Sequence, residues 1–177
     1  MPIHLIWGDD YEACNREIEE LIQSVIDPSW KSFNYSQIDG NDPKQNLRAL
    51  EEAQSPPLGS GSRIVLVRRS PFCNGCSIEL GNQLEQVIKS IHDKTYLILS
   101  NSHKPDKRLK TTKLIQKSIE SNTFSLEKSF ILPLPWDING QRNLVMNSLK
   151  RLNLKMNYET IDLIVESIGN DLSLIHI

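Results

Sequence analysis

Two short, uninterrupted apolar runs limit the folds open to this chain of 177 residues. They are residues 64–67 (IVLV) and residues 96–99 (YLIL). Neither run alternates with polar residues, so each is expected to be a strand that is buried on both faces. Such strands are typical of parallel sheets that are covered by helices. The sequence therefore predicts a fold of the α/β class.

Helical patterns lie between the expected strands. Apolar residues recur at helical spacing after residues 11, 43, 78 and 109, and further strands are expected at residues 3–7, around Phe33 and Tyr35, and at residues 123–126. Beyond residues 132–135 (LPLP) only helices are expected, after Ile138, from Asn157 and from Asn170, with Asp137 as a cap and Trp136 in packing. We therefore expect an α/β domain over residues 1–132, followed by the start of a small helical domain over residues 133–177.

Composition excludes several classes of partner. The net charge of −2 gives no overall attraction to nucleic acid or to an anionic membrane. No apolar stretch approaches the roughly 20 residues that a membrane span needs, so no membrane partner is expected. The first four residues, MPIH, do not resemble the start of a signal peptide, and three cysteines fit a reducing compartment. We expect a cytoplasmic protein.

The turn after the first strand, Gly8-Asp9-Asp10, occupies the place of a phosphate-binding loop. Such a loop needs several glycines and a Lys-Ser/Thr pair, whereas this turn has one glycine and two carboxylates that suit the helix dipole. We therefore expect no cofactor, no metal and no catalytic residue here. His4 lies in the first strand and has no evident nucleophile to serve.

Two other groups of residues carry open alternatives. Cys73 and Cys76 form a lone CxxC, which supplies only two of the four ligands of a structural zinc site, so an ordinary loop is favoured over a metal or redox site. A basic run follows the fourth expected strand and consists of Lys104, Lys107, Arg108, Lys110, Lys113 and Lys117. It is interpreted either as a solvated helix face or as a surface for phosphate or an acidic partner.

The segment at residues 54–62 is the best candidate for a binding site. Pro56 and Pro57 stiffen it, and Leu58 and Gly59 follow them. A stiff loop that displays an apolar side chain suits insertion into a partner's pocket, because less entropy is lost on binding. The alternative is an ordinary loop whose leucine packs on the core.

The order of several motifs resembles the delta subunit of bacterial DNA polymerase III, a component of the sliding-clamp loader. The matching stretches are residues 6–11 (IWGDDY), 33–36 (FNYS), 38–40 (IDG), 55–65 (SPPLGSGSRIV) and 104–108 (KPDKR). The Pro-Pro-Leu-Gly-Ser-Gly sequence of residues 56–61 is most similar to the cyanobacterial branch of this family. The resemblance implies an AAA+-like α/β domain and part of a helical lid, without the C-terminal collar domain. It also implies that the sequence, which ends in LIHI, is truncated.

The resemblance implies a function as well. A delta subunit binds the sliding clamp and helps to open it during DNA replication, but does not hydrolyse ATP. Its partners would be the clamp, the ATPase motor subunits and delta-prime, with DNA met through the assembled complex. Pro56, Pro57, Leu58 and Gly59 lie where the family contacts the clamp. The alternatives are a phosphotransferase with a divergent phosphate loop and a stand-alone nucleic-acid-binding module.

Overall fold

The computed structural model describes residues 2–90 and 92–168. The chain divides into two units, residues 1–130 and residues 131–177. The helix expected from Asn170 and the last four residues lie outside the described part of the chain.

A five-stranded parallel sheet forms the centre of the first unit. Its elements in chain order are β1 (Ile3–Trp7), α1 (Tyr11–Val25), a 3₁₀ turn (Pro28–Trp30), α2 (Lys31–Asn34), β2 (Tyr35–Asp39), α3 (Pro43–Gln54), β3 (Arg63–Arg68), α4 (Ile78–Ser90), β4 (Thr95–Asn101), α5 (Lys110–Glu120) and β5 (Leu126–Ser129). The strands lie in the order β2-β3-β4-β1-β5, and every neighbouring pair is parallel. The α/β fold expected from the sequence is therefore confirmed.

The central strands are buried on both faces, as their apolar runs predict. The four apolar residues of β3, from Ile64 to Val67, have no solvent exposure. Alternate side chains face opposite ways. Val65 and Val67 pack with α3, α4 and α5, whereas Ile64 and Leu66 pack with α1.

Two strand boundaries differ from the sequence prediction, and local turn chemistry explains both. Phe33 lies in α2, not in β2, because a 3₁₀ turn capped by Asp27 leads directly into a single helical turn. Residues 123–125 form a turn before β5, where the Asn122 side chain accepts a hydrogen bond from the Phe124 N–H at 2.9 Å. Asparagine commonly stabilises turns in this way.

The second unit contains α6 (Ile138–Arg151) and α7 (Tyr158–Ile168). Asp137 caps α6, as predicted, since its carboxylate accepts from the Gly140 N–H at 2.9 Å. The prediction that Trp136 packs is wrong, because the side chain is 75% exposed. The core consists of Val145 and Leu149 from α6 with Ile161 and Val165 from α7. None of the helices in the described part of the chain is long and apolar enough to span a membrane.

His4 is a titratable residue in the core. Its side chain is 1% exposed and stacks on Tyr96, with ring centroids 5.7 Å apart. Neither ring nitrogen has a hydrogen-bond partner among the described residues. Burial lowers the pKa of His4 from 6.5 to about 4; the charge of Glu17 opposes this shift and that of Lys128 adds to it. The imidazole therefore has a structural role and is neutral at physiological pH.

This burial predicts a specific acid sensitivity. Because the pKa is lower in the folded state, the unfolded state binds a proton first, so stability is complete above pH 6.5 and falls as the pH drops toward 4. At about 1.4 kcal/mol per pKa unit, the shift at His4 lowers the free energy of unfolding by about 3 kcal/mol once the pH is below 4. His4→Phe should remove this part of the pH dependence of urea unfolding. The exposed His103→Gln should leave it in place, and parallel profiles for wild type and His4→Phe would contradict the assignment.

Candidate functional site

The first turn lies at the carboxyl edge of the sheet, where nucleotide-binding α/β proteins hold phosphate. Two of its three N–H groups, those of Gly8 and Asp10, donate to carbonyls within the chain. The Gly8 N–H donates to the Asn101 carbonyl at 3.0 Å, and the Asp10 N–H donates to the Phe130 carbonyl at 3.2 Å. The Asp10 carboxylate accepts from the Ala13 N–H at 2.9 Å and so caps α1. These groups therefore do not converge on a phosphate.

Gly8 has a packing role that explains why a glycine occurs in the turn. Its φ is +145°, and a Cβ at this position would lie 1.7 Å from the carbonyl oxygen of Phe130. Only glycine fits such a close approach of two backbone segments. The close contact with Phe130, directly after β5, therefore accounts for the single glycine.

A polar cleft of about 760 Å³ lies at the same edge. The Arg69 guanidinium bonds to both carboxylate oxygens of Asp39, which lowers the pKa of that carboxyl group. Arg68 donates to the Asn15 side chain. The cationic groups of the cleft are therefore directed to partners within the chain. Among the described residues, no three His, Cys, Asp or Glu side chains are placed to hold a metal ion.

The CxxC pair is poorly suited to redox or metal chemistry. Cys73 is buried in the core, and burial raises the pKa of its thiol to about 12. Burial also raises the pKa of Cys76, which is partly exposed. Thiolates are the reactive and metal-binding forms, and both thiols are protonated at neutral pH.

Some cations of the basic run form ion pairs within the chain and others do not. Lys104, Lys107, Arg108 and Lys110 are all exposed. Arg108 pairs with Asp106 at 2.8 Å, lowering the pKa of that carboxyl group to about 2, and Lys110 pairs with Glu85 at 2.7 Å. Lys104 and Lys107 have no ion-pair partner in the part of the chain that the structure describes. Their charges remain available to an anionic partner.

The proline loop, residues 55–62, lies at the opposite, amino edge of the sheet. It connects α3 to β3, and the Ser55 carbonyl accepts from the hydroxyl of Thr95 at the start of β4. Leu58 is 52% exposed, so it is not a core residue. Pro56 is exposed and Pro57 is partly buried. The packed-leucine alternative is therefore not what the structure shows.

The segment before β2 supports this loop. Asn34, which is fully buried, bonds to the main chain of Leu58. Gly59 has φ +66° and lies against Trp30, so that a Cβ on it would be 2.2 Å from the indole ring. Phe33 is 60% exposed, and its ring centroid lies 6.0 Å from that of Trp30. Leu58 thus belongs to a loop whose path is fixed by its neighbours.

Comparison with known proteins identifies the family. Residues 4–127 match the family model for the DNA polymerase III delta subunit. The chain belongs to the DNA polymerase III delta subunit family. No curated protein matches the chain. The DNA clamp loader delta protein of Bacillus subtilis has the same fold, with a TM-score of 0.71 and 23% identity over 99% of this chain and 50% of that one. A gamma subunit-related protein of Thermotoga maritima is similar at 13% identity and a TM-score of 0.43, over 98% of this chain and 56% of its own.

The delta family match contains both edges of the sheet, because it extends across the first turn, the proline loop and the basic run. The chain spans about half the length of the Bacillus subtilis delta protein. Sequence reasoning missed Trp30 and the role of Asn34 beside the loop. Asn34 was part of a motif that carried the delta resemblance, but its sequence context gave no indication of a partner 24 residues away.

The engaged N–H groups predict that this delta family member does not bind ATP at the first turn. Calorimetric titration with Mg-ATP should give no saturable heat. Asp10→Asn keeps the cap of α1 and removes a negative charge that would repel phosphate. This variant should also fail to bind ATP, because the Gly8 and Asp10 N–H groups still donate to carbonyls of the chain. A dissociation constant in the low micromolar range, about −8 kcal/mol, for either protein would contradict this prediction.

Proposed function

We propose that this chain is the clamp-binding part of a DNA polymerase III delta subunit. In this proposal it binds the sliding clamp through Pro56, Pro57, Leu58 and Gly59 and helps to open the clamp during replication. It acts without hydrolysing ATP, together with ATPase motor subunits and delta-prime, and it meets DNA through the assembled complex. Family membership supports this proposal. The observation that carries it is the half-exposed Leu58 side chain on a loop whose main chain is held by hydrogen bonds.

The geometry of the loop favours an anchor in a pocket. An exposed aliphatic side chain gains binding energy when a partner removes it from water, and a central anchor of this kind often dominates an interface. Pro56 and Pro57 and the bonds to Leu58 restrict the free loop, which reduces the entropy lost on association. These properties suit a hydrophobic pocket on a clamp.

The two alternative functions have less support. A phosphotransferase would need backbone donors and a cation at the first turn, where the Gly8 and Asp10 N–H groups bond within the chain. A stand-alone nucleic-acid-binding module has less support because the net charge is −2 and because Arg108 and Lys110 of the basic run are paired within the chain. The exposed Lys104 and Lys107 fit a secondary contact with phosphate or an acidic subunit within the assembly.

Leu58 provides the direct test with a purified bacterial sliding clamp. Leu58→Ala should weaken clamp binding by about 2 kcal/mol, roughly thirtyfold, as for a hot spot. Leu58→Asp should weaken it further, because the charge would be buried without a partner. Stability should change by about 0.5 kcal/mol or less, since the side chain is already half exposed.

The matched control is Ile78, which is 85% exposed at the start of α4. Ile78→Asp should leave clamp affinity unchanged, because α4 begins at the other edge of the sheet. Clamp affinity and melting temperature should be measured on the same preparations. If a folded Leu58→Asp protein bound as tightly as wild type, the loop would not belong to the binding site.

We also propose that residues 133–177 are the start of the helical lid of the delta subunit. Four buried side chains, Val145, Leu149, Ile161 and Val165, form the described core of this unit. A core of four side chains is small compared with the two-sided core of the sheet, so this unit should be weakly protected. Amide exchange should be fast in α6 and α7 and slow in β3 and β4. Equal protection in both units would contradict this prediction.

A further inference from the structure

Asn34 makes two hydrogen bonds to a single residue of the proline loop. The Leu58 N–H donates to Asn34 Oδ1 at 2.7 Å, and Asn34 Nδ2 donates to the Leu58 carbonyl at 2.8 Å. Asn34 itself is the last residue of α2 and has no solvent exposure. Its amide therefore holds both polar groups of the Leu58 main chain while leaving the Leu58 side chain outside.

Further contacts hold the loop on the C-terminal side of Leu58. Gly59 lies against the Trp30 ring in a left-handed conformation that a Cβ would not allow. The Ser60 hydroxyl donates to the Asp27 carboxylate, and this bond is the main cause of the lowered pKa of Asp27. Gly59 and Ser60 are therefore both held by contacts with residues 27–34.

We propose that Asn34 is a positioning residue for clamp binding. It contacts no clamp residue in this proposal; it holds the main chain at Leu58 so that the side chain is presented to the clamp before the two proteins meet. The physical basis is preorganisation, because a loop that is already ordered loses less entropy on association. This inference rests on the proposed function of Leu58 and adds the residue through which that function is maintained.

A double-mutant cycle tests the inference, using Asn34→Ala, Leu58→Ala and the double variant with a purified bacterial clamp. Asn34→Ala should weaken binding about tenfold when Leu58 is present, and less than about twofold when residue 58 is already alanine. The Leu58→Ala change leaves the main-chain bonds to Asn34 intact, so the loss of effect would show that Asn34 acts through the leucine side chain. Amide exchange at Leu58 should also become faster in Asn34→Ala.

Asn46 is the matched control. It is also buried, and its Nδ2 donates to the Gly40 carbonyl at 2.6 Å, beyond the carboxyl end of β2. Asn46→Ala should lower stability without changing the affinity of the folded fraction for the clamp. If Asn34→Ala fails to fold, Asn34→Ser serves instead, since its hydroxyl introduces no buried charge and is too short to bond both main-chain groups of Leu58.

The outcomes separate the two proposals. Suppose that Leu58→Ala weakens binding but Asn34→Ala does not, or that Asn34→Ala weakens it equally with leucine and with alanine at position 58. In either case the positioning role is overturned and the proposed function stands. If Leu58→Ala itself has no effect, both proposals are overturned. A tenfold loss that depends on Leu58, with faster exchange at its amide, would establish the positioning role.

Discussion

Burial of β3 and β4 on both faces is the constraint on which the rest of the first unit depends. Their apolar side chains need cover above and below the sheet, and α1 provides it on one face while α3, α4 and α5 provide it on the other. Because all the strands are parallel, each connection crosses from one end of the sheet to the other. Every loop therefore lies at one of two edges, and the candidate functional residues are sorted between them.

The two edges use their polar groups in opposite ways. At the carboxyl edge, the Gly8 and Asp10 N–H groups bond to carbonyls of the chain, and Arg69 bonds to Asp39. That edge is where this class of fold usually holds ligands. At the amino edge, hydrogen bonds fix the path of the main chain but leave Leu58 half exposed. The exposed side chain of Leu58 therefore lies at the end of the sheet opposite to the usual ligand site.

Local patterns in the sequence were sufficient for part of this structure. The central strands follow from apolar runs, and the caps Asp10 and Asp137 follow from their position before helices. The start of β5 was not predictable in this way, since the Asn122 turn competes with strand formation through its side chain. The Asn34–Leu58 contact joins residues 24 positions apart and depends on how α2 meets the sheet, so the sequence pattern could not show it.

The two hydrogen bonds between Asn34 and Leu58 do not involve the side chain at position 58. Asn34 bonds only to the main-chain groups of Leu58, which every residue except proline possesses in full. The path of the loop therefore depends on Asn34, on the space that Gly59 leaves for Trp30 and on the bond between Ser60 and Asp27, and not on which side chain stands at position 58. A different apolar side chain could replace leucine there without a change in the contacts that hold the main chain. The loop separates the groups that hold its shape from the group that would make contact, so partner preference and loop geometry can change independently.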